Sequence, residues 1–166
     1  MPVMIVLRHA LYDSLPHFIV GRDGRVTGFG RPSDGQTVNI ILDGGLPLLP
    51  AADGRFYPAR NSGSGFVPDM LRPPVTYFYE YCRQNRWRGF IYYERYGTSQ
   101  LAALDTLLRD LCREFGITRP YGRHTWQPCP ERTAAGAPGI YTDASFSTAG
   151  PAVHPQPELL TMLKQL

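Results

Sequence analysis

The sequence predicts an α/β fold: a single domain in which a mixed β-sheet is packed by helices. Three observations predict it. Short apolar runs of strand character fill the first forty or so positions, one strongly amphipathic helical pattern follows Thr98, and 166 residues with 43% apolar and 12% aromatic content supply one domain's core.

The elements follow in order along the chain. Met4 to Leu7 is a short apolar strand. His17 to Val20 and Arg25 to Phe29 flank Gly21-Arg22-Asp23-Gly24 and read as a hairpin, because Asp-Gly accepts the positive φ such turns need. Val38 to Leu42 supplies a further strand, broken by Asp43-Gly44-Gly45. From Pro47 to Pro73 the chain is rich in Gly, Pro, Ser and Asn and reads as a surface loop. Pro73-Pro74 then opens a predicted helix ending near Arg86, on which Tyr77, Phe78, Tyr81 and Cys82 recur at helical spacing. Gly89 to Tyr93 is a candidate strand.

Thr98 stands as N-cap to the clearest helix, about Ser99 to Phe115, with Leu101, Leu104, Leu107, Leu108, Leu111 and Phe115 as its buried stripe. Gly116 suits a left-handed C-terminal cap. A loop-rich stretch from Thr118 to Gln156 precedes a last helix starting at Pro157-Glu158, with Leu159, Leu160, Leu163 and Leu166 facing inward.

Composition narrows the function classes. The 17 glycines, 16 prolines and 19% charged residues argue against a helical bundle, and no apolar run approaches the roughly 20 residues of a membrane span. Membrane insertion is therefore not expected. The net charge is +3, and Lys164 is the one lysine among 17 basic residues. Arginine favours bidentate grips on carboxylate or phosphate, but a GC-rich genome gives the same bias and accounts for it better. Without a basic run or an RNA-binding or zinc-finger signature, nucleic acid is not an expected partner. Cys82, Cys112 and Cys129 lack CxxC spacing and form no disulfide framework. The N-terminus has no secretory signal pattern, so the expectation is a cytoplasmic protein or one exported by another route, such as phage lysis or a secretion system.

Four histidines are the natural candidates for chemistry, since imidazole is the commonest metal ligand and the usual general base near neutral pH. His9 follows the first strand, His17 begins the second, and His124 and His154 lie in the C-terminal loops. None forms a HExxH pair.

Their order adds information. Ile5-Val6-Leu7-Arg8-His9-Ala10, then Pro16-His17-Phe18-Ile19-Val20-Gly21-Arg22-Asp23-Gly24-Arg25-Val26, then Val38-Asn39-Ile40-Ile41-Leu42, resemble the opening of the zinc-dependent N-acetylmuramoyl-L-alanine amidases and the peptidoglycan-recognition proteins that share their fold. That opening is a strand ending in a ligand His, a hairpin and an inner strand. Tyr96-Gly97-Thr98-Ser99-Gln100 before Leu101-Ala102-Ala103-Leu104 looks like the start of the family's long helix. Pro138-Gly139-Ile140-Tyr141-Thr142 and His154-Pro155-Gln156-Pro157 look like the ending of a subgroup of bacterial and phage amidases.

The resemblance implies one amidase-like domain over residues 1–166, with a loop-rich excursion at about 44–73. It implies hydrolysis of the amide between N-acetylmuramic acid and L-alanine in peptidoglycan, by a zinc ion with three protein ligands and an open fourth position. The implied ligands are His9, Asp143 and His154, with His124 and Cys129 as an alternative set. Arg8, His17, Tyr96 and Thr142 are the implied ligand-binding contacts, and no catalytic side chain is assigned.

The departures from the family pattern cluster at the reaction centre. Arg8 falls in the register of the first ligand, one place before His9, and a guanidinium cannot ligate zinc. Asp143 stands where the subgroup has His. Thr148-Ala149-Gly150-Pro151-Ala152 lacks the family's Lys, and the catalytic Glu of some members falls on Ile41. The alternative expectation is thus a pseudo-enzyme that binds a muropeptide or another small anionic ligand in the same groove.

Overall fold

The computed structural model describes residues 3–12, 15–30 and 37–166. The strands are β1 (Met4–Arg8), β2 (Phe18–Val20), β3 (Val26–Gly28), β4 (Val38–Leu42), β5 (Pro47–Pro50), β6 (Phe56–Asn61), β7 (Phe66–Pro68), β8 (Phe78–Glu80), β9 (Tyr92–Glu94) and β10 (Gly139–Thr142). The helices are α1 (Thr98–Glu114), α2 (Pro130–Ala134) and α3 (Pro157–Leu163). The protein is mixed α/β with two sheets rather than the one predicted.

The first sheet has the order β10-β1-β4-β2-β3. β1 pairs in parallel with both β10 and β4, β2 runs parallel to β4, and only β3 is antiparallel, closing the predicted hairpin on β2. Gly24 takes φ +84° in that turn, as the Asp-Gly signal requires. Because side chains alternate along a strand, Val3, Ile5 and Leu7 share a face with Val38, Ile40, Leu42 and Ile140. That face is covered by Leu104, Leu108 and Leu111 of α1 and by Leu159 and Leu163 of α3. Val6, Arg8, Asn39, Ile41 and Tyr141 project from the opposite face.

The helix α1 keeps its predicted stripe, with a one-residue difference at its start: Gly97 is the N-cap and Thr98 the first helical residue. Its end is a Schellman motif in which Gly116, at φ +64°, donates to Arg113 O while Ile117 donates to Cys112 O at 2.8 Å. Gln100 is buried, and its amide donates to the carbonyls of Val20 (2.9 Å) and Asp43 (2.6 Å), tying α1 to the ends of β2 and β4.

The second sheet, β7-β6-β5-β9-β8, is wholly antiparallel and overturns two expectations. The Gly-, Pro- and Ser-rich residues of the predicted loop are the turns of a meander. Gly54, at φ +76°, donates to Ala51 O in one turn, and Ser62 donates to Gly65 O in the next. The predicted helix from Pro73 to Arg86 is instead strand β8 followed by a 3-10 turn at Arg83–Asn85. Aromatic residues fit a pleated surface, and here alternation wins over helical spacing. Phe78 packs on Phe56 and Tyr92 at 4.6 and 5.8 Å between ring centres, whereas Tyr79 and Tyr81 turn to the other face. Among the described residues no helix is long and apolar enough to cross a membrane.

Candidate functional site

Three strands of the first sheet deliver side chains to one place. Arg8 ends β1, Asn39 lies on the neighbouring β4, and Asp143 directly follows β10 on the other side. The Arg8 guanidinium donates from Nη1 to Asp143 Oδ1 at 3.0 Å and from Nε to Asn39 Oδ1 at 3.1 Å. Asp143 Oδ2 accepts the backbone N–H of His9 at 3.0 Å. The rings of Tyr12 and Phe146 flank the guanidinium at 4.4 and 5.0 Å, and the paired side chains are only 15% and 11% exposed.

Local chemistry aims Asp143. Thr142 Oγ1 accepts the Ala144 N–H while Ser145 Oγ accepts the Thr142 N–H at 3.0 Å, a reciprocal cap on the 3-10 turn Asp143–Ser145. Thr142 also donates to Thr125 O at 2.6 Å and is wholly buried. Thr142 is therefore a fixing residue for Asp143, not a surface contact for a ligand.

The histidines present protons, not lone pairs. His9 Nδ1 accepts the Leu11 N–H at 3.0 Å, which leaves Nε2 to carry the proton in the neutral ring. Burial lowers its pKa, the Asp143 charge opposes that, and the Arg8 charge adds to it. His154 is fully buried, stacked on Tyr93 and Tyr96 at 4.6 and 5.4 Å between ring centres. Its Nε2 faces Glu94 O at 3.2 Å, an acceptor only, so Nε2 bears the proton and Nδ1 accepts from the Tyr81 hydroxyl at 3.2 Å. Burial pulls its pKa down to about 4. Tyr96 is 3% exposed and its ring is part of this stack, while it also borders a shallow groove with Thr98, Leu101 and Glu158. His17 Nδ1 accepts the Asn39 N–H at 3.1 Å and pins the start of β2 to β4.

These residues do not fit a zinc ion. An imidazole has one lone pair to give a metal, and that of His9 is taken by the Leu11 N–H and that of His154 by the Tyr81 hydroxyl, while the Arg8 guanidinium at 3.0 Å sets a positive charge against Asp143 where a dication would sit. In the alternative set, His124 points Nε2 at Pro120 O at 3.3 Å, and Cys129 Sγ lies 3.7 and 3.9 Å from the carbonyls of His124 and Ser145. Burial raises the Cys129 pKa, which favours the protonated thiol over the thiolate that binds metal. Among the described residues no three His, Cys, Asp or Glu side chains gather as a metal site.

A cavity of about 110 Å³ opens where this end of the first sheet meets the second sheet. His9, Leu46, Phe66, Arg88, Phe90 and Tyr93 line it. Sequence reasoning identified Arg8, His9 and Asp143 but not Asn39, Arg88 or Tyr93. For Asn39 a signal existed, as a lone polar residue inside the apolar run Val38 to Leu42; Arg88 has no distinguishing pattern among so many arginines. Comparison with family models, curated proteins and solved structures finds no match to the chain.

Proposed function

We propose that this chain is a non-catalytic, amidase-like binding protein that holds a peptidoglycan-derived muropeptide in the cleft at the carboxyl ends of β1, β4 and β10. The single observation that carries the reading is the Arg8–Asp143 pair, joined at 3.0 Å at the two positions where the resemblance calls for metal ligands. In open parallel sheets the crevice beyond the strands' carboxyl ends is the usual ligand site. Here that crevice offers N–H donors from His9 and the remaining guanidinium positions of Arg8, suited to the carbonyls of a peptide. Asp143 offsets the charge that Arg8 alone would present, which favours a peptide over a small free anion.

The test has two arms on the purified full chain. Metal content after zinc supplementation, with release of stem peptide from sacculi, is expected to show neither stoichiometric zinc nor hydrolysis. Calorimetric titration with a muramyl peptide is expected to show binding. Stoichiometric zinc with sacculus digestion overturns the non-catalytic reading, and absence of muropeptide binding overturns the binding one.

A further inference from the structure

Four features of Arg88, taken together, bear on what it can bind. It is the one non-glycine residue with positive φ among the described residues, at +50°. Such a conformation costs of order 1 kcal/mol and persists only where its surroundings enforce it. Its guanidinium is held by backbone carbonyls alone, those of Ser147 and Gly150. Among the described residues no carboxylate lies within ion-pair distance of it, although seven other arginines have such partners. Finally, it lies on the wall of the cavity between the two sheets, whose other lining is largely apolar: Leu46, Ala59, Phe66, Phe90, Tyr93 and Ala152.

The cavity holds a second donor. With Nδ1 occupied by the Leu11 N–H, the neutral His9 ring carries its proton on Nε2, and His9 lines the same cavity. Phe66 and Phe90 meet edge to face at 5.1 Å on its apolar side. The Tyr93 hydroxyl is already spent on Trp87 O at 2.8 Å. The cavity thus joins an apolar body to a cation with no ion-pair partner among the described residues and to a neutral N–H.

We infer that this cavity is a binding site for a compact monocarboxylate with a branched alkyl body, the carboxylate held by Arg88 with His9 as second donor. Size and charge both constrain the ligand. An apolar cavity of about 150 Å³ is known to hold benzene, so about 110 Å³ suits a body of four or five carbons. A carboxylate supplies the counter-charge that Arg88 lacks, and charge-assisted bonds to guanidinium are the strong ones. The inference shares His9 with the peptidoglycan reading but turns on Arg88 and needs neither Arg8 nor Asp143, so a failure at Arg88 leaves that reading untouched.

The test compares 3-methylbutanoate with its amide, 3-methylbutanamide, by calorimetry and by amide chemical-shift perturbation on the full chain. The carboxylate is expected to bind roughly ten- to a hundred-fold more tightly than the amide, the range of a charged hydrogen bond. Shifts should centre on Leu46, Phe66, Tyr93 and Ala152. Arg88→Met should abolish the preference while leaving amide affinity unchanged, and Arg88→Lys should retain part of it. Equal affinity for the two probes, shifts centred elsewhere, or no binding of either overturns the inference. The wild-type comparison decides the matter even where Arg88→Met does not fold.

Discussion

Breaking the Arg8–Asp143 pair one partner at a time gives the sharpest check on how the candidate site is built. Arg8→Met keeps most of the aliphatic stem that packs between Tyr12 and Phe146, but leaves the Asp143 carboxylate with one backbone N–H from His9. Orphaning one charge of a fully buried pair costs 3–5 kcal/mol; with the partners 15% and 11% exposed, the low end applies, about 3 kcal/mol. For a chain of this size that is a fall in Tm of roughly 6–12 °C. Asp143→Asn keeps an oxygen toward Arg8 and loses only the charge, for about 2 kcal/mol. The double variant orphans no charge, so it should be less destabilised than the sum of the singles by about 2 kcal/mol. Equilibrium urea unfolding of the four proteins, followed by fluorescence of Trp87 and Trp126, measures the cycle. Single variants within 0.5 kcal/mol of wild type, or strict additivity, would mean that the pair behaves as a solvated surface contact and that the burial argument is wrong.

Two further outcomes follow from the same geometry. Burial holds the His154 pKa at about 4 against about 6.5 in the unfolded chain. Below pH 6.5 the unfolded state therefore takes up a proton that the folded state refuses. Stability is then full above that pH and falls as pH drops toward 4, by roughly 3 kcal/mol from this residue. His9 and His124, whose pKa values are also lowered, act in the same direction. Urea midpoints between pH 7.5 and 4.5 should hence depend less on pH in His154→Gln than in wild type, and parallel profiles would refute the assignment. Gly45→Ala is the second: at φ +64° its added methyl would enter the buried Tyr96 ring, costing about 2–3 kcal/mol. Gly54→Ala meets nothing within 4 Å at φ +76° and should cost about 1 kcal/mol. Equal shifts in thermal melts would show that the Tyr96 contact contributes nothing.

What the sequence disclosed depended on how long each periodic signal ran. Helix α1 is 17 residues of consistent stripe, and β1 and β4 are five-residue strands with four apolar residues each, so they stand out. The second sheet is made of strands of three to six residues, interrupted by Pro58 and separated by glycine turns. Over such lengths composition outweighs alternation, and a meander reads as a loop. The Tyr77 to Cys82 spacing matched a helix, but hydrogen bonds from β9, invisible locally, decide the conformation. At the site, Arg8 and Asp143 were each legible as departures from a ligand pattern. Their pairing was not, because it spans 135 positions and exists only through the parallel register of β1 on β10.

The two arginines at this end of the molecule do different electrostatic work. Arg8 stands beside its own counter-ion, is fixed through Asn39, and is walled by two aromatic rings, so its charge is largely cancelled and its geometry locked. A locked, neutral pair presents direction without net field, which suits the alternating donors and acceptors of a peptide. Arg88 has backbone carbonyls for partners, which orient its guanidinium without cancelling its charge. Beside a largely apolar wall that charge gives the cavity a preference for an anionic group. His9 links the two arrangements: its backbone N–H completes the Asp143 shell while its ring faces the cavity.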